Sequence, residues 1–280
     1  MKAFGCGYGS RRLIHIIFAS ILLMTAFSCQ TVPVTERQQL HLLPEGQILE
    51  MSLSSYQQFL SEHKVVHGTP QARMVADVGG RIRNAVDRYL DQNNLSNRVE
   101  GYEWEFNLVE DKAMNAFAMP GGKVVVFTGI LPVAQSETGL AVVMGHEIAH
   151  VIAAHGNERM SQGLLAQMGG MALSIALAEK PAQTQQLFMA AFGIGAQVGF
   201  LLPYSRIQES EADHLGLIFM AMAGYDPHAS VDFWQRMSGA QEGGKPPEFL
   251  STHPSDRTRI ENLRKLIPEA MDYYTAASHQ

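Results

Sequence analysis

The segment His146-Glu147-Ile148-Ala149-His150 constrains this sequence more than any other feature. Residues four apart in a helix lie on one face, so both imidazoles can reach one ion. The residues around the segment are almost all apolar, which predicts a buried helix. Two histidines and a glutamate placed there by chance would lack the partners that buried polar groups need. The pattern therefore predicts a metal site, and neutral imidazoles suit Zn²⁺.

Glu147 is offset by one residue from His146 and can hold the water that the metal binds. Zinc lowers the pKa of such a water to about 7. The carboxylate would then take the proton as a general base. We therefore expect one zinc ion per chain and a catalytic role for Glu147.

A catalytic zinc needs a third protein ligand. The best candidate is Glu209, in a helix predicted over residues 204–223. Asp213 lies one turn further on the same face, where it can accept a hydrogen bond from the far nitrogen of a ligand histidine. The alternative for this pair is a solvated acidic face. That description fits Glu211, which points roughly the other way.

The HEIAH segment, followed by the ESEAD segment at residues 209–213, resembles the M48 family of metallopeptidases. The resemblance covers most of the chain from about residue 70 and includes residues 115–131 (NAFAMPGGKVVVFTGIL) and 251–260 (STHPSDRTRI). It implies that Glu209 is the third zinc ligand and that Asp213 supports the ligands. The sequence is most similar to the periplasmic lipoprotein subgroup, which is Oma-type or BepA-like, here without helical repeats. The implied fold is α+β and mainly helical, zincin-like, with a small β-sheet over the active-site helix.

Three histidines outside the HEIAH segment need an interpretation. His253 resembles a subgroup residue near the zinc, and three roles stay open for it: a ligand that fills the open position and keeps the enzyme latent, an oxyanion stabiliser, or a plain loop residue. Arg257 either orients a carboxylate of the site or faces solvent. His155 follows the second ligand by five residues, whereas zincins with three histidines use a longer spacing. We expect His155 to be a helix-end residue favoured by the helix dipole, and His214 to lie off the metal-binding face.

Two further segments suggest contacts with other molecules. Asn115, Ala116, Phe117 and Ala118 are predicted to bind an extended peptide by strand addition, which needs little side-chain specificity; the alternative is an ordinary internal hairpin. The apolar runs 163–178 and 187–202 are each too short to span a bilayer. We interpret them as a buried helical hairpin, with an apolar lid or a membrane-contacting element as the alternative.

The first 28 residues are predicted to be a lipoprotein signal peptide. A basic start precedes a short apolar run over residues 13–27, as in secretory signals. Cys29 follows a small residue and resembles the acylated cysteine of a bacterial lipobox, although Ala26 stands where leucine is usual. The alternative is plain signal cleavage beside a stray cysteine. The only other cysteine, Cys6, would leave with the signal.

The remaining chain is divided into a tether over residues 29–44 and a single metalloprotease domain over residues 45–280. Helices are predicted at 45–62, 70–91, 228–238 and 255–267, besides those named above, and strands at 104–109 and on both sides of Pro120-Gly121-Gly122. The helix that carries the HEIAH segment is expected to start after Ser136, which can cap it, and to stop at Gly156. The net charge of −6 and the lack of a basic stripe argue against nucleic acid as a partner.

The sequence therefore predicts a zinc metalloendopeptidase that cleaves misfolded or unassembled envelope proteins. A lipid anchor would hold it facing the periplasm, on the outer membrane. The alternative is a chaperone-like or latent zinc-binding lipoprotein in which His253 blocks the metal. A purely structural zinc site would instead be closed by four protein ligands.

Overall fold

The computed structural model describes residues 29–197, 201–240, 249–250, 253 and 257–278. The predicted signal peptide lies outside these residues. Within them, mainly helical structure surrounds small β-sheets, and none of the helices combines the length and apolar character needed to cross a membrane. The helices are α1 (Glu45–Glu62), α2 (Pro70–Gln92), α3 (Leu131–Ala134), α4 (Glu137–Ile152), α5 (His155–Leu177), α6 (Ala182–Ala196), α7 (Leu202–Met222), α8 (Ala229–Gly239) and α9 (Arg257–Ala277).

In the part of the chain that the structure describes, five short strands form two sheets. Strands β1 (Cys29–Thr31) and β2 (Gln38–Leu40) pair antiparallel. Strands β3 (Glu105–Val109), β4 (Ala116–Met119) and β5 (Lys123–Phe127) form a sheet of order β3-β5-β4, parallel for β3 with β5 and antiparallel for β4 with β5. The predicted strand pair around Pro120-Gly121-Gly122 is confirmed, and β4 packs against α4. This small sheet covers the helix that carries the HEIAH segment.

Helix α4 lies at the centre of the molecule. Ser136 caps it by accepting a hydrogen bond from the backbone N–H of Gly139 at 3.1 Å, and every residue from 139 to 152 is buried. Its most extensive neighbour is α7. The two helices cross where Gly145 faces Gly216: a methyl group added to Gly216 would lie 2.9 Å from the backbone nitrogen of His146. The lack of side chains at this crossing brings the two backbones, and the polar residues on either side, close together.

Two predicted helix boundaries are wrong. The active helix was expected to stop at Gly156, but α4 ends at Ile152 and Ala154 takes a left-handed conformation with φ of 54°. This tight turn starts α5 at His155. The last helix continues through Pro268 to Ala277 because Ile267 and Ala270, on either side of the proline, are buried in the core. By contrast, α7 ends as predicted before Gly224, which has φ of +79°.

The expectation of a buried helical hairpin is also wrong. Helices α5 and α6 pack against each other, yet the outer part of the pair leaves large apolar side chains in solvent. Ile175 is 78% exposed and Leu187 is 68% exposed. An apolar composition predicted the helices but not what would cover them.

Candidate metal centre

Four side chains from three parts of the chain converge beside α4. His146 and His150 come from α4, Glu209 comes from α7, and His253 comes from the segment before α9. One nitrogen or carboxylate oxygen from each lies within 4.8 Å of all the others. The structure therefore brings together the three ligands predicted from the sequence, and it adds the histidine whose role was left open. Glu209, at 8% exposure, does not belong to a solvated face.

The distances between these donor atoms suit a tetrahedral ion. The Nε2 atoms of His146 and His150 are 3.2 Å apart, and each lies 3.3 Å from an oxygen of Glu209. His253 Nδ1 lies 3.2 Å from His146 Nε2 and 3.0 Å from Glu209 Oε1. A tetrahedron with metal–ligand bonds of about 2.0 Å has edges of about 3.3 Å. Imidazole and carboxylate donors at this spacing fit Zn²⁺, with His253 at the fourth corner.

Glu147 lies next to this cluster and is 4% exposed. Among the described residues its Oε1 atom has no hydrogen-bond partner. The Nε2 atom of His253 lies 3.4 Å from this oxygen. A buried carboxylate oxygen without a hydrogen bond is costly. It therefore suits a group that is satisfied by a bound water or substrate.

Asp213 contacts the far side of His146, as predicted. Its Oδ1 atom lies 3.0 Å from His146 Nδ1, so that the ring donates from Nδ1 and keeps the Nε2 lone pair for a metal. The same oxygen accepts a 2.7 Å hydrogen bond from Arg259, whose guanidinium lies 3.3 Å from the centroid of the Trp234 ring. Sequence reasoning expected this role of Arg257. The side chain of Arg257 lies outside the described residues.

The far nitrogen of His150 contacts a residue that sequence reasoning set aside. His155 is fully buried, and its Nδ1 atom lies 2.8 Å from His150 Nδ1. Its Nε2 atom lies 3.1 Å from Glu211 Oε2. The prediction of a solvated Glu211 is wrong, since this residue is 3% exposed. The prediction of a plain helix-end role for His155 is wrong as well, whereas His214 pairs with Glu269 away from the cluster.

The protonation equilibria reflect this dense arrangement. Burial opposes a positive charge on His146, but Asp213 and Glu209 outweigh it and raise the pKa of His146 to about 9. Burial lowers the pKa of His150 well below its ordinary value. Burial also opposes the charge on Glu209, yet the imidazoles of His150, His146 and His253 hold the pKa of that carboxyl far below its usual range. Glu209 and His150 are therefore already in the forms that bind metal, a carboxylate and a neutral imidazole, whereas His146 must release a proton when an ion binds.

The predicted peptide-binding segment lies at an edge of the three-stranded sheet. Ala116, Phe117 and Ala118 belong to β4, which pairs with β5 on one side. Asn115 precedes the strand and accepts a 2.9 Å hydrogen bond from the backbone of Ala116. An edge strand is where a peptide could add to the sheet, so binding of a peptide by this segment stays a prediction.

Comparison with known proteins gives a consistent result. The model of peptidase family M48 matches residues 78–267. The mitochondrial metalloendopeptidase OMA1 of Saccharomyces cerevisiae is 29% identical over 95% of this chain and 76% of its own length. Its human counterpart is 34% identical over 95% of this chain and 50% of its own length. The putative beta-barrel assembly-enhancing protease of Vibrio cholerae is 32% identical over 77% of this chain and 48% of its own length.

The chain thus spans about half the length of most of these relatives, including a Schizosaccharomyces pombe OMA1 of which it covers 53%. Mitochondrial and bacterial proteins both match. The predicted family is therefore confirmed, whereas the lipoprotein subgroup stays a prediction.

Proposed function

The chain belongs to peptidase family M48, and we propose that it is a zinc-dependent endopeptidase with Glu147 as general base. One observation carries this proposal: a cluster of three metal donors from α4 and α7 lies beside a buried carboxylate oxygen that has no hydrogen-bond partner among the described residues. A purely structural site would not need that carboxylate.

Each side chain then has a defined task. His146 and His150 would hold the ion through Nε2, and Glu209 would complete the set of three. When bound, Zn²⁺ supplies a Lewis acid for the scissile carbonyl and lowers the pKa of water to about 7. Glu147 takes the proton of the attacking water at its buried oxygen and delivers it to the leaving amine. Asp213 fixes the ring of His146, so that its lone pair stays directed at the ion.

His253 supports the second candidate function, a latent zinc protein. Its Nδ1 atom takes the fourth corner of the cluster, and its Nε2 atom lies 3.4 Å from Glu147 Oε1. One residue thus occupies the place that a substrate or water needs and also contacts the general base. We infer that His253 must leave this position before cleavage, which makes the described arrangement the latent form of a protease.

The substrates and location that we propose follow from the strand and from the relatives. Asn115–Ala118 would bind an extended segment of a misfolded or unassembled polypeptide by backbone pairing. Acylation of Cys29 would anchor the chain to the outer membrane of a bacterial envelope. The chain would then face the periplasm, and envelope proteins would be its substrates. Two relatives are named as beta-barrel assembly-enhancing proteases, which supports this location; the relatives named as mitochondrial support the activity alone.

Cleavage of casein, an unfolded protein, by the zinc-loaded full chain tests both candidates. We expect His253→Ala to cleave faster than wild type, and Glu147→Gln to be inactive in either background. His228→Ala is a matched control, because this histidine is 60% exposed and lies outside the metal cluster. Cleavage that survives Glu147→Gln would refute the role of Glu147. If His253→Ala binds zinc but does not cleave, the protein is a zinc-binding protein without peptidase activity.

A further inference from the structure

We propose that Arg37, in the N-terminal segment, positions the metal ligand His150 through Glu211 and His155, so that this segment is part of the active-site apparatus. This inference rests on the proposed function only in taking His150 as a metal ligand. It assigns a function to residues that the sequence indicated as a tether.

A continuous chain of contacts joins Arg37 to His150. The Arg37 guanidinium donates to both oxygens of Glu211, at 2.8 and 2.9 Å. Glu211 Oε2 lies 3.1 Å from His155 Nε2, and His155 Nδ1 lies 2.8 Å from His150 Nδ1. The last three residues of this chain are buried, so that water does not compete for these bonds.

The order of atoms fixes which nitrogen carries each proton. The Glu211 carboxylate only accepts hydrogen bonds, so His155 must donate to it from Nε2. The Nδ1 atom of a neutral His155 is then an acceptor, and His150 must donate to it from Nδ1. His150 is left with a lone pair on Nε2, which is the atom that faces Glu209 in the metal cluster. The chain of contacts therefore selects the metal-binding tautomer of His150.

Arg37 is held by a second buried acid. Glu158, in α5, is 1% exposed and accepts hydrogen bonds from Arg37 at 2.7 and 2.8 Å. The guanidinium thus makes bidentate contacts with two carboxylates, an arrangement that lysine cannot reproduce. Without Arg37, two carboxylates would be buried close together, and Glu211 would turn away from Glu158 and from its place beside His155.

The N-terminal segment is shaped to deliver this side chain. Val34 and Glu36 both have positive φ, at 72° and 53°, which is a costly conformation for residues other than glycine. Thr35 donates a 2.7 Å hydrogen bond to Glu211, and Gln39 donates one of 2.8 Å to the carbonyl of Ala153, in the turn before His155. The segment therefore contacts Glu211 itself and the turn that precedes His155.

The test measures zinc affinity and leaves peptidase activity aside. In the full chain carrying Glu147→Gln, the dissociation constant of Zn²⁺ is determined by competition with a chromogenic chelator, and Co²⁺ is used to record the absorption of the metal site. We expect Arg37→Lys and His155→Gln each to weaken zinc binding by about ten- to a hundredfold and to change the Co²⁺ spectrum. Both substitutions act through one chain of contacts. The double variant should therefore bind zinc only slightly more weakly than whichever single variant has the lower affinity.

Arg83→Lys is the matched control, since Arg83 is exposed and its ion pair with Asp87 lies within α2. The inference is overturned if the Arg37→Lys variant binds zinc within twofold of its Glu147→Gln parent, whether or not its melting temperature is lower. Arg37 would then be a structural contact. Fully additive losses in the double variant would overturn it as well. If Arg37→Lys does not fold, Glu211→Gln takes its place in the same comparison. A His253→Ala variant that binds zinc but never cleaves casein would refute the proposed function and leave this inference intact.

Discussion

The crossing of α4 and α7 offers a direct test of how the fold sets the metal site. We predict that Gly216→Ala weakens zinc binding, although the substitution lies outside the cluster. The added methyl group would meet the His146 backbone nitrogen at 2.9 Å and the Gly145 carbonyl carbon at 3.0 Å. Contacts of this kind are comfortable at about 3.5 Å or more. The helices must therefore separate by roughly half an ångström, whereas metal–ligand distances tolerate only about 0.2 Å.

The size of the effect follows from the cost of overpacking. Extra methyl groups forced into a packed core cost about 1 to 3 kcal/mol. If the metal-free protein relieves this strain by opening the helix crossing, zinc binding must close the crossing again and bring the strain back. The cost then becomes a loss of affinity of roughly 5- to 150-fold, since about 1.4 kcal/mol corresponds to a factor of ten. The gain in helix propensity from glycine to alanine, about 1 kcal/mol, acts on folding in the opposite direction.

Gly80→Ala separates these two contributions. Gly80 lies within α2, and a methyl group added there meets nothing within 4 Å. This control should be at least as stable as wild type and should bind zinc normally. Zinc affinity is measured by chelator competition, and melting temperature is measured with and without zinc. If Gly216→Ala binds zinc within twofold of Gly80→Ala and melts no lower, the crossing does not set the ligand spacing.

Two further predictions concern single side chains. Asp213→Asn keeps a hydrogen-bond acceptor beside His146 but removes the charge, and it should weaken zinc binding by about tenfold; chelator competition that shows an unchanged dissociation constant would contradict this. Burial raises the pKa of Tyr89 to about 12, against about 10 in an unfolded chain. The stabilisation that comes from this difference in pKa is therefore fully present below pH 10 and is lost as the pH rises toward 12. Between pH 10 and pH 12, the free energy of unfolding measured with urea should therefore fall less in Tyr89→Phe than in wild type, by on the order of 2 kcal/mol. Equal losses in the two proteins would refute the assignment.

Periodicity along the chain explains what could be predicted from the sequence. The spacing in His146–His150 and that between Glu209 and Asp213 both follow the helical repeat, so local reasoning placed these residues on common faces. The capping residue Ser136 and the terminating Gly224 gave helix ends for the same reason, because their effect is local. These features required no knowledge of which elements pack together.

The predictions that failed depend on the rotation of a helix about its axis or on contacts between residues far apart in the sequence. Positions 257 and 259 are two residues apart in α9, and this spacing separates two positions by about 200° around a helix axis. The sequence does not fix which one faces α7, and the structure places Arg259 against Asp213. Arg37 and Glu211 are 174 positions apart in the sequence, and no local sequence pattern predicts their contact. Similarly, the exposed apolar hairpin of α5 and α6 shows that composition predicts a helix but not its environment.

The three acids of α7 explain why the site needs a second helix of fixed rotation. Glu209 and Asp213 face α4, where one contacts the metal donors and the other contacts His146 Nδ1. Glu211 points away from that face, yet it is buried because the N-terminal segment and His155 close around it. The two ligand histidines are thereby oriented by acids from opposite sides of one helix. A rotation of α7 by one residue, about 100°, would remove the ligand and both orienting acids at once, so the spacing of all three acids specifies a single rotation of the helix.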